Sequence, residues 1–359
     1  MSDLYLSRIR NWFLSSPPAE WALKGLRETL IGALKQGPIP RHVAFVMDGN
    51  RRYARSHKIE TIEGHHLGFE ALARVLEICY KCGVEVVTVY AFSIENFNRP
   101  QYEVDGLMEL AKVKLEQLIQ HGELLERYGA SVRVLGERDL LSDDVLEVVD
   151  RAVSTTKNNK KCILNICFPY TSREEMTTAI RSTVEEYSKS SAPKSTPFSQ
   201  TRITQKIMSK QGDKSEKSES GNSSSGQEPT HNPTESDDNE DSMSSTTTLY
   251  PDSPGRVSKD GSNNVTIYPN AENITAETID KHLYTADCPP LDVFVRTSGV
   301  ERLSDFMLWQ CHQDTQMFFL KCFWPEFDLW HFLPVLLEWQ WRQKKKAMEE
   351  GPRQRVKTA

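Results

Sequence analysis

The sequence contains no run of about 18 apolar residues, which excludes an ordinary membrane-spanning helix. It also has no strong charge of either sign: 44 Lys/Arg stand against 50 Asp/Glu in 359 residues, a net −6. With no basic excess, nothing points to duplex nucleic acid as a partner. There is no Walker A loop, no Gly-x-Gly-x-x-Gly turn and no His-Glu-x-x-His helix. Nucleotide hydrolysis, dinucleotide binding and zinc proteolysis therefore lose their main support. Cysteine is sparse and odd in number, seven in all (79, 82, 162, 167, 288, 311, 322), scattered through apolar segments. They read as reduced core thiols of a cytosol-facing protein, not as a disulfide framework. Cys79-x-x-Cys82 has zinc-ligand spacing, but no second pair completes four ligands, and the pair lies inside an apolar helical pattern. It reads as structural. A signal peptide is not expected, since Trp12-Phe13-Leu14 is too short for an apolar core and Pro17-Pro18 follows at once.

What is present divides unevenly along the chain. From Ser188 to Ser262, 75 residues include 19 Ser and only two aromatics, Phe198 and Tyr250. Such a stretch cannot bury enough apolar surface to offset its chain entropy, so it is expected to be a disordered surface insert. Loop closure entropy grows slowly enough to tolerate it. The other 284 residues suffice for one well-buried core. The expected organisation is an N-terminal amphipathic segment (1–37), a domain made of 38–187 and 263–345, the insert (188–262), and a polar tail (346–359). In the first segment Leu23, Leu26, Leu30 and Leu34 recur at helical spacing, with Lys24, Arg27 and Lys35 between them and Trp12, Phe13 and Trp21 upstream. Two readings stay open: a helix lying on a membrane surface, or one packed on the domain or a partner. Gly37-Pro38-Ile39-Pro40 ends the pattern in a turn.

Beyond it, apolar strand-like runs alternate with helical patterns. Strands are expected at Val43–Met47, Val86–Phe92, Ser131–Leu135, Cys162–Phe168, Leu291–Arg296 and Met317–Phe323. Helices are expected at Gly64–Cys82, Glu103–Tyr128, Leu141–Thr156, Thr171–Tyr187, Thr275–Leu283, Leu303–Cys311 and Leu329–Met348. Thr171-Ser-Arg-Glu174 is a capping-box type of start. The fold class is α/β: a single domain with a central six-stranded, mainly parallel sheet flanked by helices and interrupted by the insert.

Ligands of such sheets sit beyond the carboxyl ends of the strands, and three ends here are unusually polar. The first strand runs into Asp48-Gly49-Asn50-Arg51-Arg52. The second ends in Phe92-Ser93-Ile94-Glu95-Asn96-Phe97-Asn98-Arg99. The fifth ends in Arg296-Thr297-Ser298-Gly299, followed by Arg302-Leu303-Ser304. Backbone amides and arginines suit phosphate oxygens, and Asp48 suits Mg²⁺. Asp and Gly chosen for turn geometry explain any single loop equally well. Three such loops on one edge favour a site for two phosphate groups.

These residues carry a family resemblance. Met47-Asp-Gly-Asn-Arg-Arg52, Glu63-Gly-His65, Tyr90-Ala-Phe-Ser-Ile-Glu-Asn-Phe97, Arg296-Thr-Ser-Gly299 and Arg302-Leu-Ser-Asp-Phe306 resemble the ordered motifs of the cis-prenyltransferases over about 38–187 and 275–330. Arg51-Arg52 and Ser93-Ile-Glu-Asn96 resemble its eukaryotic, dolichol-making branch. The resemblance implies repeated condensation of isopentenyl diphosphate onto an allylic diphosphate, with cis double bonds and with Mg²⁺. It implies that Asp48 binds the metal and that Gly49, Asn50, Arg51 and Arg52 hold the allylic diphosphate, with His65 near it. It further implies that Ser93 and Asn96 handle isopentenyl diphosphate and its proton loss. Phe92, Phe97 and Arg99 belong to the substrate-binding set, and Arg296, Arg302 and Ser304 match the second diphosphate site. An elongation tunnel is expected between the sheet and the helices Phe69–Cys79 and Val104–Leu118. Asp143-Asp144-Val-Leu-Glu147 lies in an ordinary helix, so the paired Asp-Asp-x-x-Asp motifs of trans-prenyltransferases are missing.

Two departures from the family pattern stand out. The bacterial pattern has a His just before the second-site Arg and a Glu thirteen residues after it; here these are Glu301 and Thr315. The single-chain enzymes also carry a C-terminal Arg-x-Gly, whereas after Trp330 the only glycine is Gly351, preceded by Met348-Glu349-Glu350. The resemblance therefore implies a heteromer, completed by an accessory cis-prenyltransferase-like subunit that carries Arg-x-Gly. The region around Trp309, Trp324 and Trp330 is either the contact surface or plain core. Peripheral attachment to the cytosolic face of the endoplasmic reticulum is expected. The alternative is a non-catalytic, Nogo-B-receptor-like accessory subunit of the same fold, which usually lacks the Asp-Gly-Asn-Arg loop.

Overall fold

The structure, a computed structural model, describes residues 17–120, 123–189, 257–259, 265–267 and 269–354. Six strands form one sheet: β1 (His42–Val46), β2 (Val86–Tyr90), β3 (Ala130–Leu135), β4 (Cys162–Cys167), β7 (Val293–Arg296) and β8 (Gln316–Phe319). Their order is β3-β4-β2-β1-β7-β8, and every pairing is parallel. All five β1 residues are buried. Strands covered on both faces need continuous apolar runs, and β1 and β2 have them. Val43 and Phe45 point into one core with Leu72, Leu76, Phe327 and Phe332, whereas Ala44 and Val46 join Phe294, Phe306 and Met307 in the other. Sequence order reverses at β1, between β2 and β7, and that places a ligand crevice at the carboxyl ends of these three strands.

Nine helices flank the strands among the described residues: α1 (Pro17–Leu34), α2 (Asn50–His57), α3 (Thr61–Cys82), α4 (Gln101–Gln120), α5 (Glu123–Tyr128), α6 (Asp143–Thr156), α7 (Ser172–Ser188), α8 (Ala276–Asp280) and α9 (Leu329–Gln354). The single helix expected over Glu103–Tyr128 is thus α4 and α5. Of the two readings of the N-terminal helix, packing on the domain holds for its last turns. Ile31 and Leu34 are buried in one cluster with Val335, Leu336 and Trp339. Gln340 Nε2 clamps the exit, donating to Leu34 O at 2.8 Å and Pro38 O at 2.9 Å. Trp12 and Phe13 lie outside the described residues. No helix among those described is long and apolar enough to cross a membrane. All seven cysteines are free. Cys79 and Cys82 are buried in α3, where burial pushes the Cys82 thiol up to about 11.

The chain divides into two units, Met1–Ser182 with Thr278–Ala359, and Thr183–Glu277. The sheet belongs to the first. In the second, β5 (Val257–Lys259) pairs antiparallel with β6 (Val265–Ile267). β5 falls inside the stretch expected to be disordered, a difference from that expectation. The body of that stretch, 190–256, lies outside the described residues.

One expected helix is absent. Leu303–Cys311 is a chain of turns in which Ser304, Asp305 and Met307 have φ of 51°, 57° and 48°. Its backbone groups bond elsewhere: Ser172 N donates to Asp305 O at 2.7 Å, and Leu308 N donates to Ser172 Oγ at 2.9 Å. Tertiary partners have outcompeted a helical ladder that periodicity alone suggested.

Candidate active site

The chain leaves β1 through Asp48 and turns straight into α2. Gly49 permits this with φ of +109°, and a Cβ there would lie 2.8 Å from Phe323 Cδ1. Among the described residues no side chain caps α2, so its first amides stay open to anionic oxygens. Asp48 Oδ2 accepts from Arg296 Nη2 at 2.9 Å and Arg52 Nη2 at 3.3 Å. Burial opposes its charge, but bonds from Arg296 and Ser298 and the Arg296 and Arg52 charges hold its carboxyl below the usual range. Arg296, the last residue of β7, is 3% exposed. Its Nη1 donates to Arg302 O at 2.5 Å and Ser304 Oγ at 2.6 Å. Arg52 turns aside, donating to Ser298 O at 3.2 Å and Ser298 Oγ at 2.5 Å. Ser298 stands within the Arg296–Gly299 motif but is not among the site residues expected from sequence; its φ of 80° turns it toward Arg52 through contacts distant in sequence.

The loop after β2 is self-bonded. Ser93 Oγ accepts from Glu95 N at 3.2 Å, and Asn96 Oδ1 from Arg99 Nη2 at 2.9 Å. Arg99 Nη1 donates to Glu103 Oε1 at 3.0 Å, and Arg51 lies 3.8 Å from the same oxygen. Glu103 was not singled out, although its place four residues after Arg99 in a helical pattern was a usable signal. Burial and the Arg51 charge hold Arg99 below its ordinary value. Burial, then Arg99 and Arg51, push His65 down to about 4, so its ring is neutral near neutral pH. Asn50 Oδ1, His65 Nε2 and Arg296 Nε are buried without a hydrogen-bond partner among the described residues.

These groups meet at a cavity of about 420 Å³. Asp48, Asn50, Arg51, His65, Ser93, Asn96, Arg99, Arg296, Arg302 and Ser304 line one part. Phe92, Leu72, Leu107, Leu110, Leu115 and Leu118 line the apolar remainder between the sheet and α3 and α4. An apolar cavity thus lies where the elongation tunnel was expected. Gly49, Arg52 and Phe97 do not line it; Phe97 packs edge-on against Phe92 with centroids 5.0 Å apart. One buried lysine interrupts the apolar wall: Lys114 Nζ is 2.9 Å from His66 Nε2 and 5.1 Å from the centroid of Phe69.

Among the described residues no three His, Cys, Asp or Glu side chains converge as a metal cage. Asp48, low in pKa and open to the cavity, fits a divalent ion that takes most of its ligands from phosphate oxygens and water, as Mg²⁺ does. Thr315 does not line this cavity, and its hydroxyl is turned to Leu291 O at 2.7 Å. Of the three tryptophans offered as a contact surface, Trp324 is core: it is 1% exposed, donates to Gly68 O at 2.7 Å and stacks on Phe327. Trp330 is 39% exposed, and Trp309 Nε1 donates to Asp280 Oδ1.

A crevice that gathers arginines with the carboxylates of Asp48 and Glu95, and opens into an apolar hollow, suits a ligand with an anionic head and a hydrocarbon tail. The comparisons agree. The prenyltransferase family model described as undecaprenyl diphosphate synthase matches residues 46–217 and 242–347. A dehydrodolichyl diphosphate synthase complex subunit of Schizosaccharomyces pombe is 38% identical over 335 residues, 93% of this chain and 98% of its own. The Homo sapiens subunit of that name is 35% identical over 329 residues, 90% of this chain and 75% of its own. Lavandulyl diphosphate synthase from Lavandula x intermedia, solved with dimethylallyl diphosphate, shares the fold, with a TM-score of 0.56 at 21% identity over 84% of this chain and 95% of its own. The chain belongs to the undecaprenyl diphosphate synthase family and is a cis-prenyltransferase.

Proposed function

We propose that the chain is the catalytic subunit of a dehydrodolichyl diphosphate synthase, adding isopentenyl diphosphate units to an allylic diphosphate of the farnesyl type to make polyprenyl diphosphate for dolichol and protein glycosylation. The observation that carries this reading is continuity: the Asp48–Arg52 loop stands at the charged mouth of an apolar cavity. A non-catalytic accessory subunit would need no such route.

The amides that open α2, with Arg51 and Arg52, hold the allylic diphosphate bidentately. Neutral His65 offers it a hydrogen bond without a charge. Arg296, Arg302 and Ser304 hold the isopentenyl diphosphate. When bound by Asp48 together with diphosphate oxygens, Mg²⁺ supplies charge neutralisation for the leaving group. Breaking the allylic C–O bond leaves the electron pair on diphosphate and a delocalised cation on carbon. Arg51 and Arg52 stabilise the charge developing on oxygen. The isopentenyl double bond supplies the pair for the new C–C bond, and a proton leaves its C2 on the side faced by Ser93 and Asn96. Phe92 and the leucines of α4 take up the lengthening tail and keep water from the cation.

Arg296, Arg302 and Ser304 supply donors from one side only. An accessory subunit with a C-terminal Arg-x-Gly would complete that shell, and the relatives' description as complex subunits supports it. Attachment at the endoplasmic reticulum would be peripheral; washing membranes with high salt or carbonate should release the protein, and retention through both would refute it. The functional test is labelled isopentenyl diphosphate with farnesyl diphosphate, given to the chain alone and with such a subunit. Long cis product from the pair, and little from the chain alone, is expected. No product from either would overturn the enzymatic reading, and equal turnover would overturn the heteromer.

A further inference from the structure

We propose that Arg173 is a positioning residue for isopentenyl diphosphate, tying the loop of Arg302 and Ser304 to the loop of Ser93 and Asn96. The inference rests on the assignment of those loops to isopentenyl diphosphate.

Arg173 is the second residue of α7 and does not line the cavity. Its backbone N donates to Asp305 Oδ1 at 3.0 Å and its Nε to Asp305 Oδ2 at 2.7 Å, so both carboxylate oxygens are held from one residue. Its Nη2 reaches the other way, to Glu95 Oε1 at 3.0 Å. Asp305 follows Ser304 directly, and Glu95 lies between Ser93 and Asn96. One planar guanidinium thus spans the two loops through diverging donors, a geometry that the point charge of lysine cannot copy.

The loop it grips needs gripping. Ser304 and Asp305 both sit in the left-handed region that residues with a Cβ avoid. Such a conformation persists only where neighbours over-determine it. Arg296 holds the inner edge through Arg302 O and Ser304 Oγ. Ser172 and Arg173 hold the outer edge through Asp305 and Leu308. Arg173 is largely exposed, and exposed ion pairs add little to global stability. Its effect should therefore fall on where Arg302 and Ser304 point, and so on isopentenyl diphosphate alone.

The test uses the full chain purified with whichever accessory subunit supports its turnover, comparing wild type, Arg173→Gln, Arg173→Lys, Asp305→Asn and Arg302→Ala. KM is measured separately for isopentenyl and farnesyl diphosphate, alongside the melting temperature. Arg173→Gln and Asp305→Asn should each raise the isopentenyl KM about fivefold or more, since small misplacements remote from the chemistry have large effects. The farnesyl KM should stay within about twofold and the melting temperature nearly constant, with Arg173→Lys rescuing only in part. If Arg302→Ala raises the isopentenyl KM but Arg173→Gln does not, or raises both KM values alike with a fall in melting temperature, Arg173 has no positioning role. If Arg302→Ala leaves that KM unchanged, the underlying assignment of the loop fails instead.

Discussion

A buried histidine, His42, and a half-buried one, His65, stand at opposite ends of the sheet, and both are pushed down to about 4, chiefly by desolvation. His42 opens β1 at the amino end. Its Nδ1–H donates to Pro289 O at 2.9 Å, because a carbonyl can only accept, and its Nε2 is 2.7 Å from Thr88 Oγ1. Asn165 Nδ2 continues the row to Thr88 Oγ1 at 3.1 Å. Both ring nitrogens are satisfied, and the row ties Pro289 to β1, β2 and β4. His65, which lines the cavity at the carboxyl end together with Asn50 and Arg296, leaves Nε2 buried and without a hydrogen-bond partner among the described residues. The same residue type with the same shift therefore has two meanings. Satisfaction of the ring, not its pKa, separates the histidine enclosed by protein partners from the one that lines the cavity.

Substitution at both ends sharpens this contrast. His42→Ala leaves Thr88 and Pro289 O without their partner and opens a hole, and should cost roughly 2–4 kcal/mol of stability. Turnover per folded molecule should be unchanged; chemical denaturation alongside an activity assay decides it. Acid should act in the same direction. The folded His42 pKa lies below the unfolded value of 6.5, so between these values the unfolded chain binds more protons. The His42 contribution is full above pH 6.5 and is lost as pH falls toward 4, roughly 3 kcal/mol in all. Denaturation midpoints at several pH values should show this slope in wild type and a shallower one in His42→Ala. His65→Ala should do the reverse: turnover down by about 10- to 100-fold, with a smaller loss of stability. Equal stability losses for the two variants would break the comparison. The smallest effect is expected at Arg41. Its bonds to Glu85 at 3.0 and 2.9 Å are well formed but exposed, so Arg41→Ala should leave the denaturation midpoint nearly unchanged.

The six strands were legible because a sheet covered on both faces writes itself as apolar runs, and each expected run overlaps a strand. The crevice followed from polar residues clustered where β1, β2 and β7 end. Residues whose role depends on partners distant in sequence were not legible. Leu303–Cys311 carries helical periodicity, yet Ser172 and Arg173, some 130 residues earlier, take up its backbone and Asp305. Sequence leaves open whether Trp324 is contact surface or core, and Phe45, Phe327 and Gly68 O, which enclose it, settle it as core. The N-terminal helix offered two faces to a reader of sequence, and only the positions of Ile31 and Leu34 beside Trp339 chose between them.

The central claim is that this chain supplies the chemistry of the complex, with Asp48 at the charged mouth. The most direct measurement is the turnover of labelled isopentenyl diphosphate by Asp48→Ala, paired with an unaltered accessory subunit and checked for an unchanged melting temperature. The account predicts turnover below about a tenth of wild type, the scale expected for losing a group that serves charge stabilisation. Retention of more than that in a folded complex would contradict it, and would move the catalytic role away from this chain's first loop.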